Sequence, residues 1–206
     1  MIIIDCDQLS PEWFTVKAGI PSASGFGSII TPMGKRSNSP AYMRDLLAEW
    51  LSGKKLDDYQ SGFMQRGIEL EKEAHIWYEF HREVELQHVG FIMTDDKLAG
   101  CSPDGLIGIN GGLEGKAPGH RKHMETLITQ KIPPEYIPQI QGNLYITGRE
   151  WWDFLSYHPD LPPFLVRVKR DEDYIKKLKE YLHDFQQDMM KNRQMLIDRG
   201  YKRIEI

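Results

Sequence analysis

The stretch CSPDGLIGINGGLEGKAP, from Cys101 to Pro118, constrains this chain more than any other. Asn110-Gly111-Gly112 lies between two short apolar runs, the pattern of a tight β-hairpin. One strand leaves Asp104 and the other carries Glu114 and Lys116. Side chains alternate faces along a strand, so Glu114 and Lys116 share one side while Leu113, Gly115 and Ala117 take the other. Closing the hairpin brings Asp104 beside Glu114 and Lys116.

Two carboxylates and a lysine on one side of a small sheet form a chemical kit. Hard divalent cations such as Mg²⁺ prefer carboxylate oxygens and keep several waters. Held against a phosphodiester, such an ion polarises the phosphoryl oxygen and lowers the pKa of a bound water. A neighbouring lysine orients that water or stabilises developing charge, and the Gly115 carbonyl is close enough to act as a further ligand. A plainer reading stands beside this one. Ser-Pro-Asp-Gly is a turn sequence in its own right, and Glu-x-Lys on an exposed strand is often a solvated ion pair of small worth. The rest of the chain has to decide between them.

With 206 residues, the chain suits one domain, taken as 1–206, with a real core. It is 40% hydrophobic and 27% charged, ordinary for a soluble globular protein. No apolar run reaches membrane-spanning length, and the acidic start MIIIDCDQ does not read as a signal peptide. Cys6 and Cys101 are too isolated for a disulfide framework, which fits a reducing cytosol. The net charge of −4 argues against a general nucleic-acid coat protein, but not against an enzyme acting on DNA.

Helix signals come early. Ser10-Pro11 opens a short helix with Trp13, Phe14 and Val16 on its apolar side, ended by Gly19. PSASGFGSII follows, where Ser22 and Ser24 precede a second helix start, able to cap it or to hold a phosphate. Residues 31–38 read as a polar, mobile loop with Lys35 and Arg36. Ser39-Pro40 starts a helix striped by Met43, Leu46, Leu47, Trp50 and Leu51 and closed by Gly53. Gly62 to about Glu83 is a longer helix with Leu70, Ala74, Trp77 and Tyr78 inward, Phe80 at the margin and Glu71 at the edge of that face.

Segments 88–93, 97–101, 105–109 and 112–117 then form an antiparallel meander. A basic run with Arg121, Lys122 and His123 leads into a helix. Residues 135–147 make another helix with an irregularity at Pro138, its core positions being Ile137, Ile140, Leu144 and Tyr145, with Gln139 and Gln141 polar. Strands at 151–157 and 164–169 precede a long amphipathic helix from Asp171 to Arg199. The class is α+β, a central, mostly antiparallel or mixed sheet flanked by helices.

The order of these pieces resembles the lambda-type alkaline exonucleases of phage recombination, within the PD-(D/E)xK nuclease superfamily. WFTVKAGIPSAS looks like the family's N-terminal Trp…Arg-x-Gly-x-x-x-Ala-Ser segment. RGIELEKEA looks like its helix with an inward glutamate, CSPDGL with GLEGKAP like its metal-binding core, and PQIQGNLYITG like its glutamine helix. The resemblance implies a restriction-endonuclease-like core. It makes Asp104 and Glu114 ligands of two Mg²⁺ ions, with Mn²⁺ able to substitute. The Gly115 carbonyl and Glu71 complete the shell, Lys116 positions or activates the attacking water, and Gln139 orients nucleophile or substrate. Lys17, Ser24, Ser102 and one of Arg121 or Lys122 would hold the 5′-phosphate. Lys17 stands where the family has arginine and lacks its bidentate fork. Gly115 occupies a slot that is usually apolar.

The implied activity is 5′→3′ exonucleolysis of linear double-stranded DNA, releasing 5′-mononucleotides and leaving 3′ single strands. A homotrimeric ring, a single-strand annealing partner and a phage or prophage gene expressed in the bacterial cytosol come with it. Two alternatives differ in their demands. Another PD-(D/E)xK enzyme, an endonuclease or RecB-like repair module, would cut closed circles or serve a different pathway. A DNA-binding protein of the same fold would not cut at all, though the intact Asp104, Glu114 and Lys116 set speaks against it. Zinc is disfavoured, since the seven histidines lack H-x-x-x-H spacing and the cysteines are isolated.

Overall fold

The glycines of the central hairpin answer to packing rather than to the turn. The computed structural model describes residues 1–54 and 62–203. In it the reversal is made by Gly108-Ile109-Asn110, with Gly108 at φ 50°, between strands β4 (Gly105–Ile107) and β5 (Gly111–Lys116). Gly111 and Gly112 already belong to β5, so the turn lies two positions earlier than the sequence suggests. A Cβ on Gly111 would stand 2.1 Å from the Trp151 ring, and one on Gly112 would stand 2.4 Å from the Trp152 ring. The pair is glycine because two tryptophans of the next strand press onto it.

That next strand is β6 (Trp151–His158), which runs parallel to β5 and antiparallel to β7 (Leu161–Lys169). The sheet order is β4-β5-β6-β7. A second sheet joins strands from either end of the first hundred residues. β1 (Ile2–Ile4), which the sequence reading did not anticipate, pairs with β2 (Phe91–Met93), and β2 pairs with β3 (Gly100–Cys101). The expected meander over 88–117 is therefore two separate sheets. Pro103 and Asp104 lie between β3 and β4, and the parallel β5–β6 pair needs a helical crossover that no meander has.

The helices follow their punctuation. α1 (Pro11–Lys17) is capped by Ser10, α2 (Pro40–Ser52) by Ser39, and α6 (Glu172–Asp198) by Asp171, each side chain accepting from a main-chain N–H. α3 (Gly62–Arg82) lies over one face of the mixed sheet, where Ala74 and Tyr78 meet Leu113 and Leu155. Phe80, placed at the margin of that face by its spacing, is 79% exposed. The crossover contains α4 (His120–Thr129), a 3-10 turn at Pro134–Tyr136 and α5 (Ile137–Thr147). Pro138 sits in the first turn of α5, where its missing N–H has no partner to lose.

On the other face, Ile140 and Leu144 of α5, Phe154 of β6 and Leu178 of α6 share a core with the 3-10 turn Ala23–Ser28 and β3. Each Leu or Phe fully buried there contributes about 1.5–3 kcal/mol. The loop at 31–38 is tied rather than loose. Ile30 bridges Arg36, whose guanidinium pairs with Asp184 of α6 and covers the Tyr181 ring at 4.6 Å. Among the described residues, no helix is long and apolar enough to cross a membrane.

Candidate active site

The register of the hairpin sets the site. Gly105 opposes Leu113, so one step outward Asp104 opposes Glu114. Asp104 is held twice. Its Oδ2 accepts from the Gly115 N–H at 2.7 Å, and His88 donates through Nδ1 to its main-chain oxygen at 3.0 Å. Glu114 reaches toward α5 and is fully buried. Gln139 Nε2 donates to its Oε1 at 2.5 Å, and Asn143 Nδ2 donates to its Oε2 at 3.0 Å. Lys116 Nζ reaches the same Oε1 at 2.5 Å. Gln139 and Asn143 are four residues apart, so one face of α5 presents both amides. Gln139 thus grips Glu114 directly, where the sequence reading gave it the nucleophile or substrate.

Burial raises the pKa of both Asp104 and Glu114. Lys116 opposes the rise, Glu71 adds to it at Asp104, and Asp104 adds to it at Glu114. Glu71, on α3, is raised by burial and by Glu114, again against Lys116. Burial would lower Lys116, but Glu114 and Asp104 more than reverse this, so the ammonium holds its proton. Among the described residues, three carboxylates therefore act on the Lys116 ammonium. Glu71 and Asp104 open onto a cleft of about 580 Å³ that His75 and His88 also line. Burial and the neighbouring His88 push His75 down to about 4, leaving a neutral imidazole.

This donor set fits a hard divalent cation. Among the described residues, no three or more His, Cys, Asp or Glu side chains close into a ready cage. Mg²⁺ asks for less, one or two carboxylates with waters and substrate oxygens. The excess of negative charge beside a lysine already engaged is what such an ion would neutralise.

The residues expected to hold a phosphate fall into two groups. Lys17 lies over the Trp13 ring at 3.8 Å, and Trp13 Nε1 donates to Ser102 Oγ at 2.9 Å and to the Gly90 carbonyl at 3.0 Å. Lys17 and Glu114 both act electrostatically on Cys101, so this group adjoins the carboxylates. Ser22 bridges Gly100 and its Oγ is 3.3 Å from that of exposed Ser24, which brings the serine segment to the same strand. Arg121 and Lys122 stand beyond the end of β5, in the first turn of α4. Lys122 pairs with Glu135 at 2.6 Å and lies 5.1 Å from the Tyr136 ring centre. Arg121 is exposed and lines a cleft of about 650 Å³ with Ala117, Pro118 and His120.

A family model described as the YqaJ-like viral recombinase domain matches residues 12–150, from α1 to the end of the helical crossover. The chain belongs to that family. No curated protein matches it. Among solved structures, the alkaline exonuclease (LHK-Exo) from Laribacter hongkongensis is similar with a TM-score of 0.84 and 33% identity, covering 93% of this chain and 98% of that one. The same protein in complex with dAMP gives the same values. A phage related exonuclease from Haemophilus somnus 129PT has a TM-score of 0.65 at 17% identity, over 87% and 96% of the two chains, a likeness of fold alone. The fold of this family member is thus that of an alkaline exonuclease, as its motif order suggests.

Three residues at the site escaped the sequence reading. Asn143 carried a usable signal, since it repeats Gln139 at i+4 on the same helix. His88 reaches Asp104 from the strand-entry side through a contact between loops, which no spacing reveals. His75 follows Glu71 at i+4, but a histidine on a helix edge has no local mark of function.

Proposed function

We propose that the chain is a nuclease that removes nucleotides from the 5′ ends of linear double-stranded DNA, needing Mg²⁺. The observation that carries this reading is the convergence of Asp104, Glu114 and Glu71 on the ammonium of Lys116. Membership of the YqaJ-like family and the likeness to an alkaline exonuclease, one form of which holds dAMP, support it.

Asp104, Glu114 and the Gly115 carbonyl would hold the ion, or two ions with Glu71 joining them. Bound there, Mg²⁺ supplies polarisation of the phosphoryl oxygen and a water of lowered pKa. Gln139 and Asn143 fix the Glu114 carboxylate in one orientation. Lys116 keeps its proton, so it acts as a fixed positive charge toward the phosphoryl oxygens and the attacking water rather than as a base. Lys17, Ser24 and Ser102 would receive the 5′-phosphate. Arg121, free of the Glu135 pairing that engages Lys122, is the better candidate to meet the backbone beyond. The whole of 1–206 is taken as one exonuclease domain. It works in the host cytosol as a homotrimeric ring on DNA ends, with a single-strand annealing protein, leaving 3′ overhangs for recombination.

The test uses linear and closed circular duplex DNA, labelled at the 5′ or 3′ end, with Mg²⁺ or EDTA. Early release of 5′-labelled mononucleotide from the linear form alone, abolished by EDTA, is the expected result. Cutting of the circle would replace it with an endonuclease, and absence of cleavage with any divalent ion would leave a binding protein.

A further inference from the structure

His75 faces the cation site with an atom that takes no hydrogen bond among the described residues. It lies on α3 one turn after Glu71, and its Nε2 is buried without a hydrogen-bond partner. Buried polar atoms are nearly always paired, so an orphan beside a reactive site asks for a reason. The space in front of it is made by a glycine. A Cβ on Gly115 would lie 3.6 Å from His75 Nε2 and 3.7 Å from Asp104 Oδ2. The imidazole nitrogen and the carboxylate oxygen thus face one small volume. His75 also lines the open cleft shared with Glu71 and Asp104. A water needs two or more polar partners to settle, and these two are present.

We propose that His75 is a positioning residue for the cation site, holding Asp104 through a water seated over Gly115. This rests on the reading of Asp104 and Glu114 as cation ligands. His75 and Gly115 act as one device, the imidazole supplying the polar atom and the glycine the room. Asp104 is then held from three sides: by the Gly115 N–H, by His88 at its main-chain oxygen, and by His75 through water. Partners of this kind orient a ligand and raise its affinity for the ion.

The test is equilibrium binding of Mn²⁺ alone to the full chain, by titration calorimetry, with thermal unfolding in EDTA as the folding control. His75→Ala is expected to weaken Mn²⁺ about 10-fold, the lower end for loss of such a partner. Gly115→Ala, whose methyl fits at ordinary contact distance but takes the water's place, is expected to do the same. The double variant is expected to be no weaker than the stronger single, and His75→Gln, which keeps a polar atom, to recover most of the loss. Binding by His75→Ala or Gly115→Ala within about twofold of wild type, or losses that multiply, would overturn the proposal. If His75→Ala fails to fold, Gly115→Ala and His75→Gln carry the test. Asp104→Asn separates the two levels. If it too leaves Mn²⁺ binding unchanged, the cation-site reading falls; if it alone weakens binding, only the role of His75 falls.

Discussion

Glu114 and Asp153 are both buried carboxylates, on neighbouring strands and on opposite faces of one sheet. Asp153 sits under α3. It accepts from the Tyr78 hydroxyl at 2.6 Å and from Arg167 through both oxygens, at 2.8 and 2.9 Å, with Arg82 at 3.9 Å. Arg167 in turn covers the Trp151 ring at 3.4 Å. One carboxylate there faces two guanidinium groups, whose planar forks match it in shape. At Glu114 the balance is reversed, with three carboxylates and one ammonium among the described residues. Burial alone therefore does not mark a reactive carboxylate in this protein. On the proposed reading, what sets Glu114 apart is the excess of negative charge among the described residues around it, which a divalent ion can relieve.

The largest effect should come from breaking the satisfied side. Asp153→Ala leaves two arginines facing a buried void and should cost about 3 kcal/mol of stability, the low end for a broken buried pair because Arg167 is partly exposed. Denaturant unfolding would report it, while cleavage per folded molecule stays near wild type. If Asp153→Ala lost activity without losing stability, the division between the two carboxylates would be wrong.

Comparable in size is the effect of Lys116→Ala. Removing its ammonium should lower cleavage about 10²–10³-fold, with DNA binding and folding retained. Wild-type cleavage by this variant would remove Lys116 from the site.

A pH series sharpens the contrast further. Asp104, Glu114 and Glu71 have raised folded-state pKa values, so the folded chain holds protons that the unfolded chain releases. Stability must then fall as pH rises from the ordinary carboxylate range through the raised values. The raised pKa of Lys116 contributes stability that is lost only at higher pH, above this window. In EDTA, Asp104→Asn should gain on wild type in melting temperature across that rise. Mg²⁺ at a hundredfold excess over its dissociation constant should return about 2.7 kcal/mol to wild type and far less to Asp104→Asn. Parallel curves for the two proteins would contradict the charge-excess account.

The smallest effect is expected at the phosphate group. Lys17→Ala should reduce the preference for 5′-phosphorylated over 5′-hydroxyl ends roughly tenfold, about 1.5 kcal/mol for one charge-assisted hydrogen bond. Equal losses in kcat/KM on both substrates would count against the assignment.

Legibility in the sequence followed distance along the chain. Asp104, Glu114 and Lys116 share one hairpin, and alternation along a strand suffices to group them. The capped helices were equally readable, because Ser10, Ser39 and Asp171 act on the three residues that follow them. The sheet was not. Whether the segments around 92, 100, 106 and 114 form one sheet or two depends on partners far away, Ile2–Ile4 at one end and Trp151–His158 at the other. Register and pairing are tertiary properties, set by which apolar faces can be buried together.

By itself, then, the sequence determined the α+β class, the helix boundaries, the hairpin that groups Asp104, Glu114 and Lys116 and, through its motif order, the family. Only the tertiary structure decided that Gly111 and Gly112 lie under tryptophans, that Gln139 and Asn143 both grip Glu114, and that His75 looks across Gly115 at Asp104. Local spacing dictates what neighbours on one element can share. The balance of charge at a buried site is a sum over elements that only folding brings together.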